Sequence, residues 1–232
     1  MVPSNDALAW RNQSTLEKSR PIRLAGSALG NRAHICAFFN NPDEEYEILT
    51  PFIKEGLDLG EKAMHTVDPR RRSEHIERLR SSGIDIEAAT QNGQFELRDW
   101  TNTHLHHGEC DLSHTLALFQ QVATNARQDG FPLVRFITHM EWALEMEMGV
   151  NDLLAYEAKA NEIWIRQDGP INPVVCTYDL SRFSGDIIVD VMRTHPLVII
   201  GGIVQENPFF VDPEEFLGQL QERPRTSFKR LG

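Results

Sequence analysis

Histidine, cysteine and acidic side chains are concentrated between residues 103 and 114 of this chain. The imidazole and thiol groups of this segment belong to His104, His106, His107, Cys110 and His114. Imidazole and thiolate are typical zinc ligands, so the segment is a candidate zinc site. Its spacing matches no closed structural zinc pattern, however. The alternative is a polar surface loop before a helix that Asp111 or Ser113 caps.

A second pair of candidate ligands lies in the short apolar segment 34–39. His34 and Cys36 are two residues apart, and residues i and i+2 of a strand share a face. Imidazole and thiol would then point at one ligand. The alternative is a hydrogen-bonded histidine beside a buried cysteine in the core.

The elements that must position these residues alternate regularly along the chain. Strand-like segments are predicted at about 34–39, 62–67, 95–100, 133–138, 173–178 and 197–204, and helices at about 43–59, 71–81, 112–127, 151–166, 185–193 and 213–221. Repeated alternation implies right-handed crossovers. We therefore predict an α/β fold: a mainly parallel central sheet of about six or seven strands with helices on both faces. Gly201-Gly202 falls inside the last predicted strand, where it indicates close packing or a bulge.

The alternating region contains no internal repeat, low-complexity tract or linker, so we predict a single α/β domain at 31–221. Residues 1–30 and 222–232 lack sustained periodicity. They are predicted to be a flexible N-terminal arm and a basic C-terminal tail.

Composition excludes several classes of protein. The chain has 232 residues and a net charge of −11, and its two basic ends leave about −16 on residues 31–221. Such an acidic surface disfavours direct nucleic-acid binding, which depends on clustered lysine and arginine.

Three widely spaced cysteines indicate free thiols in a reducing compartment. The first residues lack a signal-peptide pattern, and the longest apolar run, 196–204, is too short to span a bilayer. We expect a cytoplasmic protein without membrane association.

In open α/β sheets, ligands bind at the carboxyl ends of the strands. The residues in or just after the predicted strands are rich in aromatic side chains with a few polar groups, which is typical of a small-molecule pocket. The predicted ligand site comprises His34, Cys36, Phe38, Trp100, His139, Glu141, Trp142, Tyr178 and Arg182. Its polar groups His139, Glu141 and Arg182 would orient the ligand. Glu206, Asn207 and Phe209 are expected at the same edge, after the last strand.

The turn after the first predicted strand argues against nucleotide binding. It reads Phe39-Asn-Asn-Pro-Asp-Glu-Glu45, with carboxylates where a phosphate loop has glycines and a lysine. We therefore expect neither ATP nor GTP as a cofactor. Glu141 follows a strand, where a related ATPase would keep an acidic residue acting on a nucleotide. The alternative role for Glu141 is capping, or pairing with Arg135 or Arg182.

Several ordered blocks of the chain resemble the MEDS domains, the methanogen/methylotroph sensory domains. The matching segments are 34–46, Leu49, Pro51-Phe52, Glu55-Gly56-Leu57, Gly60-Glu61-Lys62, 139–143, 156–158, Asn161, 176–183, 194–196, Gly201-Gly202 and 206–210. The resemblance implies a degenerate RecA-like fold without a phosphate loop. It also implies a sensor of small molecules, proposed to be hydrocarbon derivatives or one-carbon compounds. The histidine-rich segment does not belong to this pattern.

MEDS domains are often joined to a DNA-binding helix-turn-helix or a histidine kinase, and neither is recognised here. We therefore expect a non-enzymatic sensor that binds a small organic ligand and signals to a partner protein, such as a kinase or transcription regulator, or through its arms. One alternative is an enzyme that uses Glu141 and His139 with or without a metal. Another is an interaction module with a vestigial pocket. The sequence leaves the ligand, the partner and a homo-oligomeric state open.

Overall fold

The computed structural model describes residues 21–30, 33–106, 109–146, 148–165 and 171–224. The strands are β1 (Arg23–Leu24), β2 (Ser27–Ala28), β3 (His34–Phe39), β4 (Lys62–Val67), β5 (Phe95–Asp99), β6 (Leu105–His106), β7 (Glu109–Cys110), β8 (Val134–His139), β9 (Val174–Asp179), β10 (Leu197–Ile200) and β11 (Ile203–Glu206). The helices are α1 (Pro42–Asp58), α2 (Arg72–Ser81), α3 (Ile86–Gln91), α4 (Leu112–Gln128), α5 (Trp142–Glu145), α6 (Val150–Ile165), α7 (Gly185–Met192) and α8 (Pro213–Gln221).

A seven-stranded sheet forms the centre of the protein, in the order β11-β10-β3-β9-β8-β4-β5. All neighbouring strands are parallel except β10 and β11. The predicted α/β fold with a mainly parallel sheet is confirmed. The order places β3, β9 and β8 side by side in the middle, so their carboxyl ends meet at one edge.

The sheet separates two apolar cores, because successive side chains of a strand point to opposite faces. Cys36 and Phe38 of β3 lie in the core that α4, α6, α7 and α8 cover. Ile35, Ala37 and Phe39 lie in the core that α1, α2 and α3 cover. The predicted helices on both faces are thus present.

The Gly201-Gly202 pair is a hairpin turn, and the prediction of one strand over 197–204 is wrong. The two glycines have φ of 59° and 74°, a conformation that glycine adopts more readily than other residues. The turn reverses the chain, so Glu206 pairs with Leu197 at the amino end of β10. Glu206, Asn207 and Phe209 therefore lie away from the carboxyl edge where the sequence placed them.

Short elements add to the predicted ones. The strand pairs β1–β2 and β6–β7 form small antiparallel ribbons. Residues 21–30, which the sequence assigned to the arm, carry Leu24 into the core beneath α1 with 1% of its surface exposed. None of the helices in the described ranges has the length and apolar character of a membrane span.

A buried arginine ties α1 to the sheet. Arg135 of β8 is 1% exposed, and its Nε lies 2.5 Å from Glu61 Oε2 while its Nη1 donates to the Phe52 carbonyl at 2.6 Å. Gly56 of α1 packs directly against this side chain: a Cβ there would lie 2.5 Å from Arg135 Nε. Arg135 is therefore committed to this contact and does not pair with Glu141.

Candidate functional site

Four side chains with metal-binding chemistry meet in the core on the α6 face of the sheet. His34 begins β3, Cys176 lies in β9, Glu157 lies in α6 and His195 precedes β10. We call them the core polar cluster. Each is at most 3% exposed. Within the described residues, these four are the group of His, Cys and carboxylate side chains arranged to hold a metal ion.

The Glu157 carboxylate lies at the centre of the core polar cluster. Its Oε2 is 3.3 Å from His34 Nε2, 3.5 Å from His195 Nε2 and 3.8 Å from Cys176 Sγ. His34 Nε2 and Cys176 Sγ are themselves 3.4 Å apart. One carboxylate oxygen, two imidazole nitrogens and one sulfur therefore face a common point.

Neighbouring groups fix the orientation of these side chains. The Tyr178 hydroxyl donates a hydrogen bond to Glu157 Oε1, which leaves Oε2 for the rest of the cluster. The Val191 carbonyl lies 3.0 Å from His195 Nδ1 and accepts its proton, so Nε2 turns toward Glu157. Cys36 points elsewhere, because its thiol donates to the Leu197 carbonyl at 3.6 Å.

Burial sets the protonation of the core polar cluster. It lowers the pKa values of His34 and His195 to about 3, so both imidazoles are neutral near pH 7. Burial also raises the pKa of Glu157 and, together with the nearby Glu157 charge, raises that of the Cys176 thiol well above its usual value. Without a cation, such a site favours uncharged forms.

A second group of ionisable side chains lies at the carboxyl edge of the sheet. Glu45 comes from the first turn of α1, His139 ends β8 and Glu141 precedes α5; each is at most 7% exposed. We call these three residues the edge cluster. His139 Nε2 lies 2.8 Å from Glu45 Oε1. Glu141 does not pair with Arg182, which instead contacts Glu145 at 2.8 Å.

Opposing effects act on the pKa values of the edge cluster. Burial alone would lower the pKa of His139, but the Glu45 carboxylate, with Glu141, raises it above its ordinary value. Burial would raise the pKa of Glu45, yet the His139 charge and hydrogen bond lower it. Burial and the Glu45 charge raise the pKa of Glu141. The contact between His139 and Glu45 thus favours the charged form of each, whereas the shift at Glu141 is toward its neutral form.

A small enclosed cavity adjoins the edge cluster, with a volume of about 10 Å³. It is lined by Phe39, Asn41, Pro42, Glu45, Arg71, Glu141, Thr177, Tyr178 and Asp179. This space holds about one water molecule. The buried Nη2 of Arg71 makes no hydrogen bond with any described residue and lies 3.8 Å from Glu45 Oε2. Arg71, a residue of the cavity wall, thus has an unused donor among the described residues. On the same wall, the Asp179 amide donates to Glu141 Oε1 at 3.3 Å.

A chain of hydrogen bonds runs behind the edge cluster. The Tyr46 hydroxyl lies 2.6 Å from His75 Nδ1, and His75 Nε2 lies 2.9 Å from His65 Nδ1. Burial lowers the pKa of His65 to about 3 and that of His75 well below its usual value. The His75 ring is 5.7 Å from the His139 ring. Neutral imidazoles therefore surround the one histidine of the edge cluster.

The structure distributes the nine residues of the predicted ligand site over several places. Glu141 and Tyr178 line the edge cavity, and His139 contacts Glu45 beside it. His34 belongs to the core polar cluster, and Cys36 lies near it with its thiol turned away. As a common site, the nine stay a prediction.

The remaining four pack around these groups. Phe38 packs on Tyr178 at a ring distance of 5.6 Å, and Trp142 stacks on His104 at 4.0 Å. Trp100 is partly buried against the same core as Trp142. Arg182 is half-buried and pairs with Glu145.

The histidine-rich segment leads into α4. His104 is fully buried against Trp142, whereas His114 lies in the first turn of α4, where its amide donates to the capping Asp111 at 2.8 Å. His106 pairs with Glu109 and Leu105 with Cys110 in the β6–β7 ribbon. His107 lies outside the described residues. The zinc site predicted for this segment stays a prediction.

Four residues of the two clusters were absent from the predicted site: Glu45, Glu157, Cys176 and His195. Arg71 of the cavity wall was absent as well. The four cluster residues all fall within segments that carry the family resemblance, which is the signal by which they could have been found. The carboxylates in the first turn of α1 argued against phosphate binding and gave no indication of a contact between Glu45 and His139.

The family model of MEDS, described as the methanogen/methylotroph, DcmR sensory domain, matches residues 33–196. The chain belongs to the MEDS family. The matched range contains the core polar cluster, the edge cluster and Arg71. This MEDS domain is also 22% identical over 183 residues to the transcriptional repressor DcmR of Methylorubrum extorquens, with 78% of this chain and 64% of the repressor covered. The chain thus spans slightly less than two thirds of the length of that relative.

Among solved structures, this MEDS domain is similar to the KaiC-like protein PH0186 of Pyrococcus horikoshii OT3. The TM-score is 0.52 at 15% sequence identity, over 75% of this chain and 73% of the other. At this level of identity the likeness concerns the fold alone. It agrees with the RecA-like α/β architecture.

Proposed function

We propose that this MEDS domain is a non-enzymatic sensor that binds a small organic molecule in the edge cavity. The observation that carries the proposal concerns Arg71: this residue lines the cavity, and its buried Nη2 has no hydrogen-bond partner among the described residues. An unsatisfied buried donor costs free energy, and a ligand oxygen placed there would remove that cost. Family membership and the likeness to a repressor support a sensory role.

The lining indicates the chemistry of the ligand. Arg71 supplies a donor for a hydroxyl, carbonyl or carboxylate oxygen, and Glu141, whose pKa burial raises, offers a carboxyl group for a second polar contact. Phe39, Pro42 and Tyr178 supply the apolar part of the wall. We therefore favour a short alcohol or carboxylic acid, which is in the one-carbon or hydrocarbon-derived class.

Binding must change the shape of this edge. The cavity of about 10 Å³ is smaller than even a one-carbon compound, so the ligand would have to displace wall side chains such as Arg71. Arg71 lies just before α2, and its movement would shift the population of α2 positions that a partner reads. We infer that the partner is a transcription regulator or a kinase, or a second copy of the chain.

The test is a titration of the protein with methanol, formate and acetate, followed by amide chemical shifts. We expect at least one of these compounds to shift resonances of the cavity wall. Arg71→Met should weaken the binding about tenfold or more, equivalent to about 1.4 kcal/mol. Arg70→Met is the matched control, because Arg70 is exposed and pairs with Asp68 and Glu145 outside the cavity.

Two results would contradict the proposal. One is the absence of binding by all three compounds, which would favour an interaction module with a vestigial pocket. The other is binding that Arg71→Met leaves unchanged. Conversion of a bound compound into a product, lost in Glu141→Gln, would identify an enzyme instead of a sensor.

A further inference from the structure

We propose that the core polar cluster is a zinc-type metal site with His34, Glu157, Cys176 and His195 as its four ligands. This inference is independent of the edge cavity and its ligand. It also differs from the zinc site predicted in the histidine-rich segment. It depends on distances, orientation and charge in the core.

The distances match those of a tetrahedral site. Zinc binds nitrogen and oxygen at about 2.0–2.1 Å and sulfur at about 2.3 Å, so ligand atoms of a tetrahedron lie about 3.3–3.7 Å apart. The pairs that involve Glu157 Oε2 are separated by 3.3, 3.5 and 3.8 Å. His34 Nε2 and Cys176 Sγ are 3.4 Å apart, and all four ligand atoms lie within 4.8 Å of one another.

The orientation of the side chains is that of metal ligands. His195 Nε2 is fully buried, faces the cluster and has no hydrogen-bond partner among the described residues. Its Nδ1 is held by the Val191 carbonyl at 3.0 Å, which fixes the tautomer with a free lone pair on Nε2. The Tyr178 hydroxyl holds the second oxygen of Glu157. Outer contacts of this kind typically position the ligands of a metal.

Charge also favours a cation at this point. In the described part of the chain, the hydrogen bonds and ion pairs of Glu157 are with Tyr178, Cys176, His34 and His195, and no arginine or lysine is among them. Ionised Glu157 and Cys176 would be costly at this depth without a cation, which is why the uncharged forms are favoured in its absence. A divalent ion would offset both charges.

The ligand set selects the metal class. Two imidazoles, a thiolate and a carboxylate suit zinc and similar transition metals, whereas magnesium and calcium prefer oxygen ligands. Four protein ligands would complete a tetrahedron without an open position for substrate, which is typical of a structural site. The metal would link β3, β9, α6 and the segment before β10.

The test uses the full chain, stripped of metal by a chelator and reconstituted with Zn²⁺ or Co²⁺. We expect one metal ion per chain by elemental analysis. The Co²⁺ form should show the d–d absorption of a tetrahedral site and a thiolate-to-cobalt charge-transfer band. These spectra are measured on the unaltered protein and so do not depend on whether a variant folds.

Variants then locate the site. Cys176→Ser should abolish the charge-transfer band. Cys36→Ser is the matched control. Cys36 pairs with Cys176 across β3 and β9, but the Cys36 thiol donates to the Leu197 carbonyl. The Cys36→Ser variant should therefore retain the band. Joint replacement of His106, His107, Cys110 and His114 should leave the metal content unchanged. The proposal is overturned if the unaltered protein binds no metal, or if the loop replacement removes it and Cys176→Ser does not.

Discussion

The Tyr178 hydroxyl donates a hydrogen bond to Glu157, and the same tyrosine lines the edge cavity. One side chain of β9 thus contacts the core polar cluster and the wall of the proposed ligand pocket. Burial, together with the Glu157 charge, raises the pKa of Tyr178 well above its usual value, so the hydroxyl remains a donor at physiological pH. A molecule in the edge cavity would therefore contact the same side chain that contacts the core polar cluster.

Loss of the Tyr178 hydroxyl should destabilise the protein. Tyr178→Phe leaves Glu157 Oε1 buried without its donor, and an unsatisfied buried acceptor costs about 1–3 kcal/mol. Urea unfolding at pH 7 measures the change. In a Glu157→Gln background the same substitution should cost less, because the carboxylate is gone. Equal unfolding free energies of Tyr178→Phe and the unaltered protein would contradict the expectation.

Alanine at Gly56 should be destabilising although alanine favours helices. Its Cβ would lie 2.5 Å from Arg135 Nε and 2.6 Å from Arg135 Cδ. Overpacking of this kind costs about 1–3 kcal/mol. Gly218→Ala in α8 is the matched control, because a Cβ there has no atom within 4 Å and should stabilise by up to about 1 kcal/mol. Thermal unfolding of both variants distinguishes the two effects, and similar shifts of the midpoint would refute the packing argument.

His104 should make the protein less stable as the pH falls. Burial against Trp142 lowers its pKa to about 3, whereas an unfolded histidine has a pKa of about 6.5. The unfolded state therefore binds the proton first, and between these pH values stability falls by up to about 1.4 kcal/mol per pH unit for this residue. His104→Gln should reduce the slope measured by denaturation between pH 7 and 5. An unchanged slope would show that His104 takes up its proton in the folded state.

ATP and GTP should not bind in the place of a phosphate loop. Amides at and just before the start of α1 are already used: Glu44 N donates to Asn41 Oδ1 at 3.0 Å, and Asn40 N, in the preceding turn, donates to Glu44 Oε2 at 2.8 Å. Asp43, Glu44 and Glu45 add negative charge in the first turn. Calorimetry with Mg-ATP should show no binding at micromolar concentrations. Micromolar affinity that disappears on substitutions within 39–45 would disprove this.

The order of elements could be predicted because each strand and helix has its own apolar pattern. The hairpin at Gly201-Gly202 could not, since Leu197–Ile200 and Ile203–Glu206 flank it with apolar side chains and together resemble one buried strand. The reversal depends on the positive φ angles of two glycines. In a sequence, a pair of glycines is equally compatible with a bulge. As a consequence, three candidate site residues were assigned to the wrong edge.

The core polar cluster was only partly accessible from the sequence. His34 was a candidate, but its partner Cys176 lies 142 positions away, and the thiol expected beside His34 belonged to Cys36. Glu157 is one of three acidic residues of α6, with Asp152 and Glu162, and the helix sequence does not single it out. Only the register of β3 with β9 and the packing of α6 bring these residues together, and a spacing pattern does not contain that information. By contrast, the edge location of His139 and Glu141 followed directly from the strand that precedes them.

The antiparallel β11 returns the chain to the amino ends of the strands before α8 begins. There α8 packs on α6, the helix that carries Glu157. Arg223, after α8, pairs with Asp190 of α7. A displacement of α6 that follows a change at Glu157 would therefore meet α8 directly, through the packing of the two helices. The last described helix, α8, is thus placed to change position when α6 does.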